Sequence, residues 1–244
     1  MDFVIAGAQK SGTSALFMYL KKHPDIQVSD TKELHFFDND DYFNENKPNY
    51  GLLHQHFNKK KAYKLCGEST PIYMYWKPCM QRIWEYNPDI KIIVILRNPV
   101  ERAFSQWNMA TTNKKITEDF YPCIVKEYEL LQQTSHTQSR LYSYIDRGLY
   151  WEQVERMYSF FRKENILILK YEMFKNNQCA ELNKVFSFLG VDEKNYTFKS
   201  LQSHQIEYVR KMTREEKEFL LKVFSDETDK IENMLGWNCD DWRN

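Results

Sequence analysis

A chain of 244 residues fits one large α/β domain better than two small ones, and its 42% hydrophobic and 16% aromatic content suffices for a sizeable core with aromatic-lined pockets. Lysine plus arginine equal aspartate plus glutamate at 34 each, so no global field points to nucleic acid or to a membrane surface as partner. No apolar run approaches membrane-spanning length and no signal peptide is recognisable ahead of the first strand, so a cytoplasmic protein is expected. The five cysteines are scattered without a CxxC pair, which argues against a zinc site or a disulfide framework.

In chain order, Phe3–Ala6 reads as a short buried strand. Gly7-Ala8-Gln9-Lys10-Ser11-Gly12-Thr13-Ser14-Ala15 follows and opens a helix after Gly12. Glycines let such a turn aim several N–H groups into one concavity, and the helix adds its positive end. Lys10 supplies a full charge, and Ser11, Thr13 and Ser14 supply hydroxyl donors, so the segment reads as an anion site. A nucleoside-triphosphate loop would place the lysine after the second glycine and hold magnesium with an acid at a strand end. Here Lys10 precedes Gly12, and the strand Ile90–Leu96 runs into Arg97. An arginine there repels a metal and attracts phosphate, so the loop suits a phosphate-bearing donor handled without magnesium.

Lys32-Glu33-Leu34-His35-Phe36-Phe37-Asp38 comes next. In an extended segment Glu33 and His35 share one face, as a base and its neighbour should. Phe36 and Phe37 read equally well as an aromatic anchor ringed by solvated charge. Asp38 to Lys64 is irregular, and its Lys59-Lys60-Lys61 run reads as a solvated loop. His54 and His56 have no carboxylate or cysteine partner in view, so they are not read as metal ligands. Tyr75 and Trp76 suit either core packing or the wall of an acceptor pocket.

After the second strand, Arg97-Asn98-Pro99 leads into a helix with Ser105 about two turns in. If Ser105 faces back toward Arg97, the guanidinium and hydroxyl can share one phosphate; pairing of Arg97 with a carboxylate is the alternative. A helix over Trp151 to Arg162 precedes a third strand, Ile166–Leu169. Tyr142, Tyr144, Tyr150, Trp151 and Tyr158 form an aromatic cluster that reads mostly as core. Thr213, with Glu216 three residues on, starts a helical stretch to Leu235 whose core side carries Phe219, Leu220, Val223, Phe224, Ile231 and Leu235. The alternation predicts a single Rossmann-like, P-loop-type α/β domain over residues 1–244, with a central parallel sheet and helices on both faces.

The three constellations together resemble the sulfotransferases that use 3′-phosphoadenosine 5′-phosphosulfate (PAPS), in particular the heparan-sulfate N- and O-sulfotransferase-like group and its bacterial relatives. Lys10–Ser14 is similar to that family's 5′-phosphosulfate loop. The frame Leu96-Arg97-Asn98-Pro99-x-x-Arg102-Ala103-x-Ser105 resembles its 3′-phosphate site, and Lys32–Asp38 the segment with the catalytic base. Glu68-Ser69-Thr70-Pro71-x-Tyr73, Arg147-Gly148-x-Tyr150, Leu169-x-Tyr171-Glu172, Leu235-Gly236-Trp237 and Trp242 extend the likeness along the chain. The resemblance implies in-line transfer to a hydroxyl, amine or guanidine, with PAP as the other product and no metal. Lys10 would meet the bridging oxygen, the backbone of Ser11, Gly12, Thr13 and Ser14 the 5′-phosphate, and Arg97 with Ser105 the 3′-phosphate. Glu33 is the first choice of base and His35 the second; Arg210 and Lys211 are further 3′-phosphate candidates, or else solvated charges at a helix entry.

The chain departs from the glycan-modifying members where Ser69 stands in place of a lysine, and where Tyr208-Val209-Arg210-Lys211-Met212 replaces a Gly/Lys-rich loop. A small acceptor, such as a bacterial secondary metabolite, is therefore expected ahead of a glycan. A P-loop kinase would need an acid where Arg97 stands. A non-catalytic nucleotide-binding module would not need Lys10 together with Glu33.

Overall fold

Short runs of aliphatic and β-branched residues form the sheet in a computed structural model that describes residues 1–44, 48–57, 63–133, 138–193 and 207–244. Strands β1 (Phe3–Gly7), β2 (Ile26–Val28), β3 (Leu65–Ser69), β4 (Lys91–Leu96) and β5 (Ile166–Lys170) pair in the order β2-β3-β1-β4-β5, every pairing parallel. The helices are α1 (Thr13–Lys21), α2 (Gly51–His54), α3 (Cys79–Tyr86), α4 (Pro99–Thr112), α5 (Phe120–Leu131), α6 (Tyr150–Phe160), α7 (Tyr171–Asn176), α8 (Gln178–Leu189), α9 (Arg214–Val223) and α10 (Ser225–Leu235). This is the expected α/β architecture, a parallel sheet flanked by helices. Among the described residues no helix is long and apolar enough to cross a membrane.

The chain divides into two compact units, residues 1–96 with 155–203 and residues 97–154 with 204–244. The first holds the sheet. Phe3, Ile5, Ile93, Ile95 and Leu169 turn one face onto α1, α7 and α8, where Leu16, Leu20, Phe174, Leu182 and Phe186 close a core. Their neighbours Val4, Ala6, Ile92 and Val94 point the other way and are equally buried, so both faces are covered. The second unit has its own core, with Val100, Phe104, Trp107, Phe120, Ile124, Tyr144, Leu220 and Phe224.

The three strands expected from apolar runs are present, but β2 and β3 carry no such signal. β2 is three residues long, and β3 reads Leu-Cys-Gly-Glu-Ser. Gly67 is required there: a Cβ would stand 2.5 Å from the carbonyl oxygen of Phe3 on β1. The C-terminal stretch begins with the expected capping box of Thr213 and Glu216 but breaks at Phe224 into α9 and α10. Of its expected core side, Leu220, Phe224 and Ile231 are fully buried, while Phe219, Val223 and Leu235 are only partly so. Tyr144 and Tyr150 are core residues, whereas Tyr142 is exposed. The Lys59–Lys61 run lies outside the described residues.

Candidate active site

The order β2-β3-β1-β4-β5 places β1 where the winding reverses, and ligands of open parallel sheets bind at the C-terminal strand edge beside such a point. The loop from Gly7 to Gly12 leaves β1 there. Ala8 N donates to Ile95 O on β4 at 2.9 Å, and Ser11 N to Ala8 O at 3.2 Å. Lys10 (φ 70°) and Gly12 (φ 88°) both take left-handed backbone, which bends the chain sharply into α1. No side chain caps the N-terminus of α1 and no acid sits in its first turn, so its positive end is not offset by the helix's own residues. Ser11 is fully buried and its hydroxyl has no hydrogen-bond partner; Thr13 is buried and Ser14 exposed. An uncapped helix start with a buried, unsatisfied hydroxyl beside a lysine fits an anionic group such as a phosphosulfate.

The second constellation is a loop after β2, fastened to the end of β3, the strand beside β1. Glu33 N donates to Ser69 O at the end of β3 at 2.9 Å, and His35 N to Thr70 Oγ1 at 3.4 Å. The Tyr73 hydroxyl accepts from the amides of Phe36 at 3.1 Å and Phe37 at 3.4 Å. The segment is not extended as the shared-face reading assumed: Glu33 (φ 64°) and His35 (φ 52°) are both left-handed. Their side chains nevertheless meet, with His35 Nε2 3.7 Å from Glu33 Oε2. Phe36 and Phe37 are buried, so the aromatic-anchor reading holds as well, and the anchor is what carries the polar pair.

The charges of this loop form a chain. Lys32 Nζ lies 2.5 Å from Glu33 Oε1, and His35 Nδ1 donates to Asp38 Oδ2 over 2.9 Å. The pairing with Asp38, then that with Glu33, pushes the His35 imidazole up to about 9. The imidazolium beside it, and then the Lys32 ammonium, hold the Glu33 carboxyl down at about 2 although burial acts the other way. At neutral pH this pairing favours an ionised Glu33 carboxylate facing a protonated His35 imidazole. Asp38, almost fully buried, has an orienting part that its sequence position three residues after His35 alone did not disclose.

Arg97 follows the last residue of β4, and Asn98 caps α4 by accepting from Val100 N at 3.0 Å. Arg97 Nη2 lies 3.6 Å from Glu101 Oε2, so the carboxylate pairing left open by the sequence is real. Ser105 sits one turn beyond Glu101 and is half-buried, as Glu101 is, which puts both on one stripe of α4. Arg210 is held by Asp119 Oδ1 at 2.6 Å and Glu216 Oε1 at 2.5 Å, and its guanidinium lies over the Trp107 ring. That is a structural setting; Lys211 is exposed. His54 and His56 bond separately to Tyr86 and Asp30, Tyr75 is buried, and Trp76 reaches toward Asp40.

Residues 1–230 match the sulfotransferase domain family. The chain is 27% identical over 194 residues to heparan sulfate glucosamine 3-O-sulfotransferase 5 of Homo sapiens, a match covering 77% of this chain and 53% of that protein. It is 23% identical over 309 residues to the membrane-associated sulfotransferase kil1 of Dictyostelium discoideum, covering 96% of this chain and 65% of the relative. The chain thus spans between half and two thirds of the length of these curated relatives. Among solved structures, a sulfotransferase from Alicyclobacillus acidocaldarius superposes with a TM-score of 0.83 at 27% identity, over 100% of this chain and 98% of the other. Sulfotransferase STF9 from Mycobacterium avium shares the fold at 10% identity and a TM-score of 0.53, over 93% of this chain and 76% of the other. With a domain match running almost end to end and a full-length structural counterpart, the chain belongs to the sulfotransferase family.

Proposed function

We propose that residues 1–244 act as one sulfotransferase domain that moves a sulfuryl group from PAPS to a hydroxyl, amine or guanidine of a small acceptor, with Glu33 as base. The observation that carries this reading is the Glu33–His35 pair, fastened to the end of β3, the strand beside the one that leads into an uncapped, lysine-bearing anion loop. The acceptor's oxygen or nitrogen forms a bond to sulfur while the bond from sulfur to the bridging oxygen breaks. The acceptor proton goes to Glu33, and PAP leaves with the charge on its 5′-phosphate offset by Lys10 and the α1 amides. Because His35 is already protonated, it serves as the partner that holds Glu33 in place and not as the base.

Arg97 and Ser105 are assigned to the 3′-phosphate, a step in which Arg97 would exchange Glu101 for the nucleotide. Arg210 and Lys211 rank behind them, since Arg210 already has two carboxylates. A small neutral acceptor is supported by Ser69, whose buried hydroxyl offers no charge to an anionic sugar. A secondary metabolite is one such acceptor. The competing reading, a glycan acceptor, is favoured by the likeness to the heparan sulfate 3-O-sulfotransferase.

Calorimetry with PAP and with ADP plus magnesium tests the donor, and labelled PAPS offered to small hydroxyl and amine compounds and to heparan sulfate fragments tests the acceptor. Binding of magnesium nucleotide with indifference to PAP would overturn the donor assignment. Labelling of the glycan alone would overturn the small acceptor.

A further inference from the structure

Glu68, at the end of β3, is completely buried, and its Oε1 has no hydrogen-bond partner. A carboxyl in such a place is costly unless hydrogen bonds offset its burial. Its Oε2 accepts from Thr70 Oγ1 at 2.8 Å, and the Tyr73 hydroxyl is a second hydrogen-bond partner. Those two hydroxyls are the ones that accept the amides of the catalytic loop: Thr70 takes His35 N, and Tyr73 takes Phe36 N and Phe37 N. A hydroxyl has one hydrogen to give. When the hydrogen is committed to a carboxylate, its lone pairs are turned toward the opposite side, where the amides lie.

We propose that Glu68 is a positioning residue, whose buried carboxylate aims the Thr70 and Tyr73 hydroxyls so that their lone pairs hold the His35, Phe36 and Phe37 amides and thereby set the Glu33–His35 geometry. The left-handed turns at Glu33 and His35 each cost about 1 kcal/mol or more and need neighbours that over-determine them. Four amides fastened to the β3 end supply that: three through Glu68's hydroxyls and one, Glu33 N, directly on the Ser69 carbonyl. Burial pushes the Glu68 carboxyl up to about 7 even against the pull of both hydroxyls, and Oε2 can accept from Thr70 Oγ1 whether or not Oε1 carries a proton. The proposal rests on the reading of Glu33 as base only for its consequence in catalysis; the positioning itself is independent of any nucleotide.

Residue-resolved amide exchange on the intact chain tests it. Glu68→Gln replaces an acceptor-only group with one that donates, which lets the hydroxyls turn. Exchange should accelerate about ten-fold at His35, Phe36 and Phe37, the equivalent of one weakened hydrogen bond each, and stay unchanged at Glu33 and in β1. Thr70→Val should release His35 alone, and Tyr73→Phe should release Phe36 and Phe37 alone, while Thr70→Ser keeps the wild-type pattern. Unchanged exchange at the three amides in Glu68→Gln overturns the proposal. If Glu68→Gln fails to fold, seen as exchange everywhere, the two hydroxyl variants decide: loss of site selectivity between them overturns it too. PAP calorimetry on the wild-type protein is read separately, so a failed donor assignment and a failed positioning role give different results. With PAPS and an accepted substrate, Glu68→Gln should lower kcat up to about 100-fold, the scale of a misplaced reacting group, and leave the Kd for PAP unchanged.

Discussion

His35 donates from Nδ1 to Oδ2 of Asp38 over 2.9 Å, and this bond decides what the histidine can do. An imidazole fastened to a buried carboxylate keeps its proton well past neutrality. Its other edge then faces Glu33 as a cation, and the pair reads as a held carboxylate and its holder.

Glu33→Gln should abolish transfer, with a loss of about 100- to 10,000-fold in kcat, the range of a general base. Its Kd for PAP should stay near the wild-type value, as measured by calorimetry. His35→Ala should retain more activity than Glu33→Gln, because it removes an orienting partner only. The reverse order of the two variants would reassign the base to His35.

The His35 imidazole should titrate near pH 9 in the free protein when followed by proton–nitrogen correlation spectra. Its folded value is raised, so the stability it contributes is complete below the unfolded value near pH 6.5 and is lost as pH rises through about 9. The Glu33 carboxyl behaves oppositely: its contribution is present above its ordinary value of 4.5 and lost as pH falls through about 2. Asp38→Asn should bring the His35 midpoint down toward its ordinary value. A midpoint that stays near 9 in that variant would remove Asp38 as the cause.

Lys10→Ala should cut turnover by about 100-fold or more, the loss expected when one charged donor to the leaving group is removed. Lys10→Arg should recover part of it at most, because a planar guanidinium on this left-handed turn replaces a point charge with a different reach. Both are read as kcat under saturating PAPS.

Arg97→Ala should weaken PAP about 10- to 100-fold, the worth of hydrogen bonds to a charged group. Binding of adenosine 5′-phosphosulfate, which lacks the 3′-phosphate, should hardly change. Equal weakening of both nucleotides would place Arg97 away from the 3′-phosphate. Glu101→Gln should tighten PAP, because it removes the carboxylate that competes for Arg97.

Thr213→Ala should cost about 1 kcal/mol of stability in urea unfolding and leave transfer untouched, since it breaks the reciprocal box with Glu216 at the start of α9. A loss of activity at unchanged stability would instead give this helix entry a part in binding.

Three strands, the helix after Gly12, the helix after Asn98 and the capping box at Thr213 were legible because each is a local matter of side-chain period or terminal hydrogen bonds. The same holds for the residue types at the site: lysine in a small-residue turn, an arginine at a strand end, a carboxylate two residues from an imidazole. β3 was not legible. Its glycine, glutamate and serine have no strand signature, and they stand in a sheet because Gly67 lets β1 approach and because Glu68 is buried beneath the loop that carries Glu33 and His35.

The candidate groups were therefore written in the order of residues, whereas the contacts that shift their protonation were decided by the tertiary structure. Sequence left Glu33 and His35 as rival bases in an extended segment. Only the fold, by turning both backbones left-handed and setting Asp38 against the far edge of the imidazole, sets the charges that raise the His35 imidazole and lower the Glu33 carboxyl. A pKa depends on charges within a few ångströms, and the chain brings such charges together through hydrogen bonds from the β3 end that no periodicity encodes.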